Sequence, residues 1–140
     1  MKKNSVRICI ALAVLFVVYV FMNSTNTPSM ASASVEPALF AQKLEMEAER
    51  QLIDVRTLQE FQAGHLDGAI NLDFYQNDFA TQIAELDRTK QYAIYCRTGN
   101  RTGETRKLME QLGFTDVIEL QGGIVAWETE FGQTCVGGVC

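Results

Sequence analysis

One stretch constrains the fold more than any other: Tyr95-Cys96-Arg97-Thr98-Gly99-Asn100-Arg101-Thr102-Gly103-Glu104-Thr105. Ahead of it, Gln91-Tyr92-Ala93-Ile94-Tyr95 is a short aromatic and aliphatic run of the kind that forms a buried strand. Behind it, from Thr102 to Leu112, the residues Thr105, Leu108, Met109 and Leu112 recur at helical spacing, and Gly113 closes the run. A strand therefore ends, a cysteine sits at its tip, small and polar residues turn the chain, and a helix begins. Backbone N–H groups in such a turn and in the first helical turn have no partner inside the helix, and they face the sulfur. Together with the positive helix end they stabilise a thiolate and lower its pKa. Arg97 and Arg101 add fixed positive charge nearby. An inert structural cysteine would be poorly served by two arginines and Gly99, so Cys96 is expected to be a reactive nucleophile.

The rest of the chain supplies a frame for that unit. Pro37 is placed for a helix start, and Ala38, Phe40, Ala41 and Leu44 continue a helical pattern through Glu49. Leu52 to Val55 is an apolar strand broken only by Asp54. Thr57 with Glu60 three residues on forms a capping box for a short helix that stops at Gly64. Ala69-Ile70-Asn71-Leu72 is a short strand candidate, and Phe74, Phe79, Ile83 and Leu86 give a broken helical period over Asp73 to Leu86. Asp116 to Leu120 is another strand, Gly122-Gly123 a tight turn, and Ile124 to Phe131 a last helix. Strands alternating with helices predict an α/β fold with a central parallel sheet flanked by helices on both faces. Catalytic groups in such folds gather outside the carboxyl ends of the strands, where Cys96 is expected.

At the front, Met1-Lys2-Lys3-Asn4-Ser5-Val6-Arg7 is basic, Ile8 to Met22 is an apolar run without a charge, and Ala31-Ser32-Ala33 fits the small-residue rule for signal cleavage. The run is at the short end for crossing a bilayer core of roughly 30 Å. Residues 1–33 are accordingly expected to be a secretory signal peptide, placing the domain in the periplasm or outside the cytoplasm. The alternative is an N-terminal anchor, with residues 8–22 held in the membrane if uncleaved. Asn23 to Ser34 reads as a linker or processing segment. Removing the signal takes three cations and no acid, leaving 9 basic against 17 acidic residues and a net charge near −8. An acidic domain without a basic stripe is a poor nucleic-acid binder.

The loop Cys96-Arg97-Thr98-Gly99-Asn100-Arg101 resembles the active-site loop of rhodanese-like sulfurtransferases. Leu52-Ile53-Asp54-Val55-Arg56, then Glu60-Phe61 and Gly64-His65-Leu66-Asp67-Gly68-Ala69-Ile70-Asn71, are similar to the family's N-terminal signatures. Gly113-Phe114, Val117 and Leu120-Gln121-Gly122-Gly123-Ile124-Val125-Ala126-Trp127 are similar to its C-terminal ones. The likeness runs from roughly Val35 to Phe131, so a single rhodanese-like domain is expected over residues 34–132, with a tail at 133–140. It implies a thiosulfate sulfurtransferase in which Cys96 takes a sulfane sulfur, carries it as a persulfide and passes it to a thiol or to cyanide. Such two-stage covalent catalysis is ping-pong, and it calls for no cofactor.

The expected substrate-binding set is Arg97, Thr98, Gly99, Asn100, Arg101 and Thr102, with Arg56 beside them; Cys96 alone is catalytic. Arg97, facing out, is a candidate donor contact. Arg101 either attracts the anionic donor or ties the loop to a carboxylate. Gly99 and Asn100 tolerate unusual dihedrals. The resemblance puts Asp54 and Arg56 beside the loop, although a structural pair of Arg56 with Glu60 is the plainer reading. His65 reads as a satisfied turn residue, since a thiolate made by amides needs no base. Trp127 and Gly122-Gly123 read as core packing and chain reversal. Three cysteines and one histidine beyond the signal lie too far apart in sequence to suggest zinc.

Cys135 and Cys140 could pair as a disulfide in an oxidising compartment, or act with Cys96 in an extracytoplasmic thiol-redox protein. Two other rivals remain. A phosphatase or arsenate reductase would place five residues between cysteine and arginine, where this loop has the four residues Arg97 to Asn100. A non-catalytic binding module would have no use for Cys96.

Overall fold

A computed structural model describes residues 33–132 and residue 134. Ten elements alternate: β1 (Ala33–Val35), α1 (Pro37–Met46), β2 (Gln51–Asp54), α2 (Leu58–Ala63), β3 (Ile70–Asn71), α3 (Phe79–Glu85), β4 (Tyr92–Tyr95), α4 (Asn100–Gln111), β5 (Val117–Leu120) and α5 (Gly123–Phe131). The strands form one five-stranded sheet in the order β1-β5-β4-β2-β3, and every neighbouring pair is parallel. Parallel neighbours need long crossovers, which the helices supply.

Alternation along the strands divides the core in two. On one face Ile53, Tyr92, Ile94, Cys96 and Val117 pack with Phe79 and Ile83 of α3 and Met109 of α4. On the other Leu52, Ala93, Tyr95, Ile118 and Leu120 pack with Phe40 of α1 and Ile124 of α5. Helices thus cover both faces, and the central strands β4 and β5 are buried along their whole length. Burial of each large side chain contributes about 1.5–3 kcal/mol, so the sheet centre is the rigid part of the molecule. Because β4 is central and all strands run the same way, Cys96 emerges among the turns that follow β2, β4 and β5.

The structure departs from the sequence expectations at several ends. Ala33 and Ser34, read as linker, belong to β1, where Ala33 pairs with Ile118 and Ser34 with Glu119. The strand thus begins on the last residue of the Ala31-Ser32-Ala33 motif. Helix α1 stops at Met46 because the chain turns to let Arg50 reach Glu47 at 2.7 Å, the Tyr92 carbonyl at 2.9 Å and Asp116 at 2.9 Å. Only Phe79–Glu85 of the broken period is helical; Asp73 bends the chain before it, its carboxylate accepting the Tyr75 N–H at 3.0 Å. Helix α4 begins at Asn100, two residues before the expected Thr102. The signal or anchor segment and the Cys135/Cys140 pair lie outside the described residues.

Candidate active site

The site is built from the two helix starts nearest the end of β4. Helix α4 has no side-chain cap: its N-cap is Gly99, in the left-handed region at φ 106°. That conformation, natural only to glycine, folds the chain back so that the Gly99 N–H donates to Cys96 Sγ at 3.1 Å. Asn100, expected to share the unusual geometry, is an ordinary helical residue; no residue other than glycine has positive φ among those described. The loop is compact enough that one left-handed glycine turns it.

Cys96 is 1% exposed. Burial by itself pushes its pKa up, but the N–H groups of Thr102, Gly99 and Thr98 outweigh it, and the thiol sits below its ordinary value. The Thr102 hydroxyl lies 3.9 Å from Sγ and donates its hydrogen to the Gly99 carbonyl at 2.8 Å. Its main service is therefore to brace the turn, and the amides do most of the work on the sulfur.

Helix α5 holds the loop from the other side. It too starts on a left-handed glycine without a side-chain cap, Gly122, followed by Gly123 at φ 62°. Its unpaired N–H groups go to the loop carbonyls: Ile124 to Cys96 at 2.8 Å and Val125 to Arg97 at 3.3 Å. A Cβ on Gly123 would overlap both carbonyls. The Gly122-Gly123 turn, read from sequence as chain reversal, is thus also the clamp on the Cys96 backbone.

The arginines divide. Arg101 makes a bidentate pair with Glu60, NH1 to Oε2 at 2.7 Å and NH2 to Oε1 at 2.9 Å. Of its two expected roles the structure places it in the tie. Its hydrogen bonds hold the Glu60 carboxyl at about 2 against the opposing effect of burial, with Thr57 assisting from the capping box. Arg101 is itself raised above its usual value by Glu60, and the neighbouring Cys96 and Tyr75 act in the same direction. The Tyr75 ring, 5.7 Å from the guanidinium carbon, is 68% exposed. Arg97 is exposed, and its side chain has no partner among the described residues.

Arg56 is paired with Asp54, not with Glu60. Its Nε donates at 2.9 and 3.0 Å to the two carboxylate oxygens, its NH2 donates at 2.6 Å, and the same NH2 reaches the Gly64 carbonyl. The correction has a simple cause: Asp54 ends β2 and is completely buried, so its charge has to be matched locally. Burial alone would depress the Arg56 pKa, and Asp54 more than offsets it. Burial pushes the Tyr95 phenol above its ordinary value, and Asp54 adds to the rise while Arg56 opposes it. Arg56 thus braces the turn after β2. His65 stacks on Phe61 with centroids 3.9 Å apart, and its Nδ1 lies 3.0 Å from the Phe61 carbonyl. Trp127 packs edge-on to Phe40. No cluster of metal-ligating side chains occurs among the described residues.

Glu60, Tyr75 and Gly123 were not singled out from sequence as parts of the site. Glu60 carried a cap signal that hid its second role, and nothing in a linear pattern joins it to Arg101, 41 residues away.

Comparisons with known proteins bear on this geometry. The model of the rhodanese-like domain matches residues 36–130. The thiosulfate sulfurtransferase GlpE of Pseudomonas syringae is 32% identical over 87 residues, which are 62% of this chain and 80% of GlpE. YtwF of Bacillus subtilis is 32% identical over 101 residues, 72% of this chain and 95% of YtwF. MoeZ of Mycobacterium tuberculosis is 38% identical over 76 residues, but the chain spans only 19% of its length. Among solved structures, a rhodanese-related protein from Thermoplasma volcanium superposes with a TM-score of 0.65 at 25% identity, covering 74% of this chain and 98% of that one.

Proposed function

The chain belongs to the rhodanese-like domain family, and from that premise we propose that it moves a sulfane sulfur through a persulfide on Cys96. The observation that carries the reading is the Gly99 N–H aimed at Sγ at 3.1 Å, on a buried sulfur whose pKa the surrounding amides lower. A thiolate is the attacking species, and it is poised here without a general base. It attacks the outer sulfur of thiosulfate or a similar donor; the new S–S bond forms as the old one breaks, and the electron pair leaves on sulfite. The persulfide keeps the negative charge, so the same amides serve both stages. A thiol or cyanide then takes the outer sulfur and restores the thiolate. The sulfurtransferase GlpE, similar to this chain over 87 residues, supports the same class of reaction. Residues 1–33 are proposed to direct export, on the strength of the basic start, the apolar run and the small-residue motif.

Intact-mass analysis tests the reaction. Treated with thiosulfate, the protein should gain the mass of one sulfur atom, lose it on addition of cyanide, and gain nothing as Cys96→Ser. No gain in the wild-type protein would overturn the proposal.

A further inference from the structure

The loop carries two arginines, and the structure gives them unequal freedom. Glu60 takes both terminal nitrogens of Arg101, at 2.7 and 2.9 Å, and the Tyr75 ring lies 5.7 Å from the guanidinium carbon. Glu60 is itself fixed by three bonds to Thr57: it accepts the backbone N–H and the hydroxyl at 3.0 Å each, and its own N–H donates to that hydroxyl at 3.2 Å. Its carboxyl, held at about 2, stays ionised through the working range, so the pair does not open with pH. Arg97, four residues earlier in the same loop, is exposed and unpaired among the described residues.

We propose that Glu60 sets donor specificity: by occupying Arg101 it leaves Arg97 as the one cation of the loop open to an incoming donor. The site then favours sulfane donors with a single negative charge, such as alkanethiosulfonates, over doubly charged thiosulfate. This rests on the persulfide reading above. One free cation matches one anionic charge; a second charge entering the mouth loses water without a partner. The reaction balances in the same way for both donors. The Cys96 thiolate attacks the outer sulfur of an alkanethiosulfonate, the S–S bond to Cys96 forms, the sulfur–sulfonyl bond breaks, and its electron pair leaves on the sulfinate. No proton moves and no further oxidant or reductant is needed.

The test compares methanethiosulfonate with thiosulfate, each with cyanide as acceptor, as the ratio of kcat/KM scaled to the reaction of each donor with free cysteine. The wild-type ratio should favour methanethiosulfonate. Glu60→Gln should shift it toward thiosulfate by about five- to tenfold, the effect of one released ion pair. Glu60→Gln with Arg101→Gln should return the ratio to the wild-type value, because the shift acts through Arg101. A ratio unmoved by Glu60→Gln, or a shift that persists in the double variant, overturns the proposal. Should Glu60→Gln fail to fold, the double variant, which removes both charges of the pair, decides with Arg97→Gln: it should leave the ratio within about twofold even if both rates fall, while Arg97→Gln moves the ratio further toward methanethiosulfonate by about five- to tenfold. A double-variant shift as large as that of Arg97→Gln overturns it too. If neither donor sulfurates the wild-type protein, the persulfide reading fails instead, and the two failures are told apart by that control.

Discussion

Helices α4 and α5 begin alike and serve the same loop in different ways. Each opens on a left-handed glycine, Gly99 or Gly122, and neither has a side-chain cap. A helix start leaves unpaired N–H groups that need acceptors. At α4 the acceptor is the Cys96 sulfur, taken by the Gly99 N–H at 3.1 Å. At α5 the acceptors are the carbonyls of Cys96 and Arg97. One helix start stabilises charge on the nucleophile, and the other fixes the backbone that carries it. Two ends with the same sequence signal can therefore do separate jobs, and what separates them is the group each one faces.

The comparison can be broken in steps. Removing the acceptor at α4 has the largest effect: Cys96→Ser should lower sulfur transfer by about a thousandfold or more, measured as sulfite release from thiosulfate, with the melting temperature little changed. Disturbing the α5 contact comes next. Gly123→Ala places a Cβ against the Cys96 and Arg97 carbonyls and should cost about 2–4 kcal/mol, seen as a drop in melting temperature of about 10 °C or more. Wild-type stability in that variant would mean that α5 does not clamp the loop.

Gly99→Ala should act on charge more than on packing. The nearest atom to an added Cβ is the Gly122 nitrogen at 3.9 Å, so space is available, and the strain is that of φ 106° alone. A loss of about 1–2 kcal/mol is expected, with the Cys96 pKa rising as the Gly99 N–H turns away. The smallest effect belongs to Thr102→Val, which removes the hydroxyl bracing the Gly99 carbonyl. It should cost about 1 kcal/mol and slow transfer by about two- to fivefold in steady-state assays.

The same contrast explains what the sequence could and could not reveal. The sheet was legible because β2, β4 and β5 are nearly continuous apolar runs, and such runs between helical periods mean buried parallel strands. The strand–cysteine–helix order around Cys96 was legible for the same reason, since its geometry is local. β1 was not: Ala33-Ser34-Val35 has no pattern of its own and is a strand only through its pairing with Ile118, Glu119 and Leu120. Ion-pair partners were hidden as well. Arg56 chose Asp54 over Glu60, and Glu60 chose Arg101, because the sheet order brings α2 beside the turn after β4. Gly123 carried a turn signal that says nothing of the carbonyls it approaches.

The central claim is that loop amides and the start of α4 favour the thiolate of the buried Cys96 and lower its pKa. Its most direct test is the rate of alkylation of Cys96 by iodoacetamide across a pH series, with Cys9, Cys135 and Cys140 replaced by serine. A depressed pKa predicts a rate that rises with pH to a plateau and falls as acid protonates the thiolate, with a midpoint below that of free cysteine at about 8.5. A midpoint at or above the free-cysteine value would contradict it.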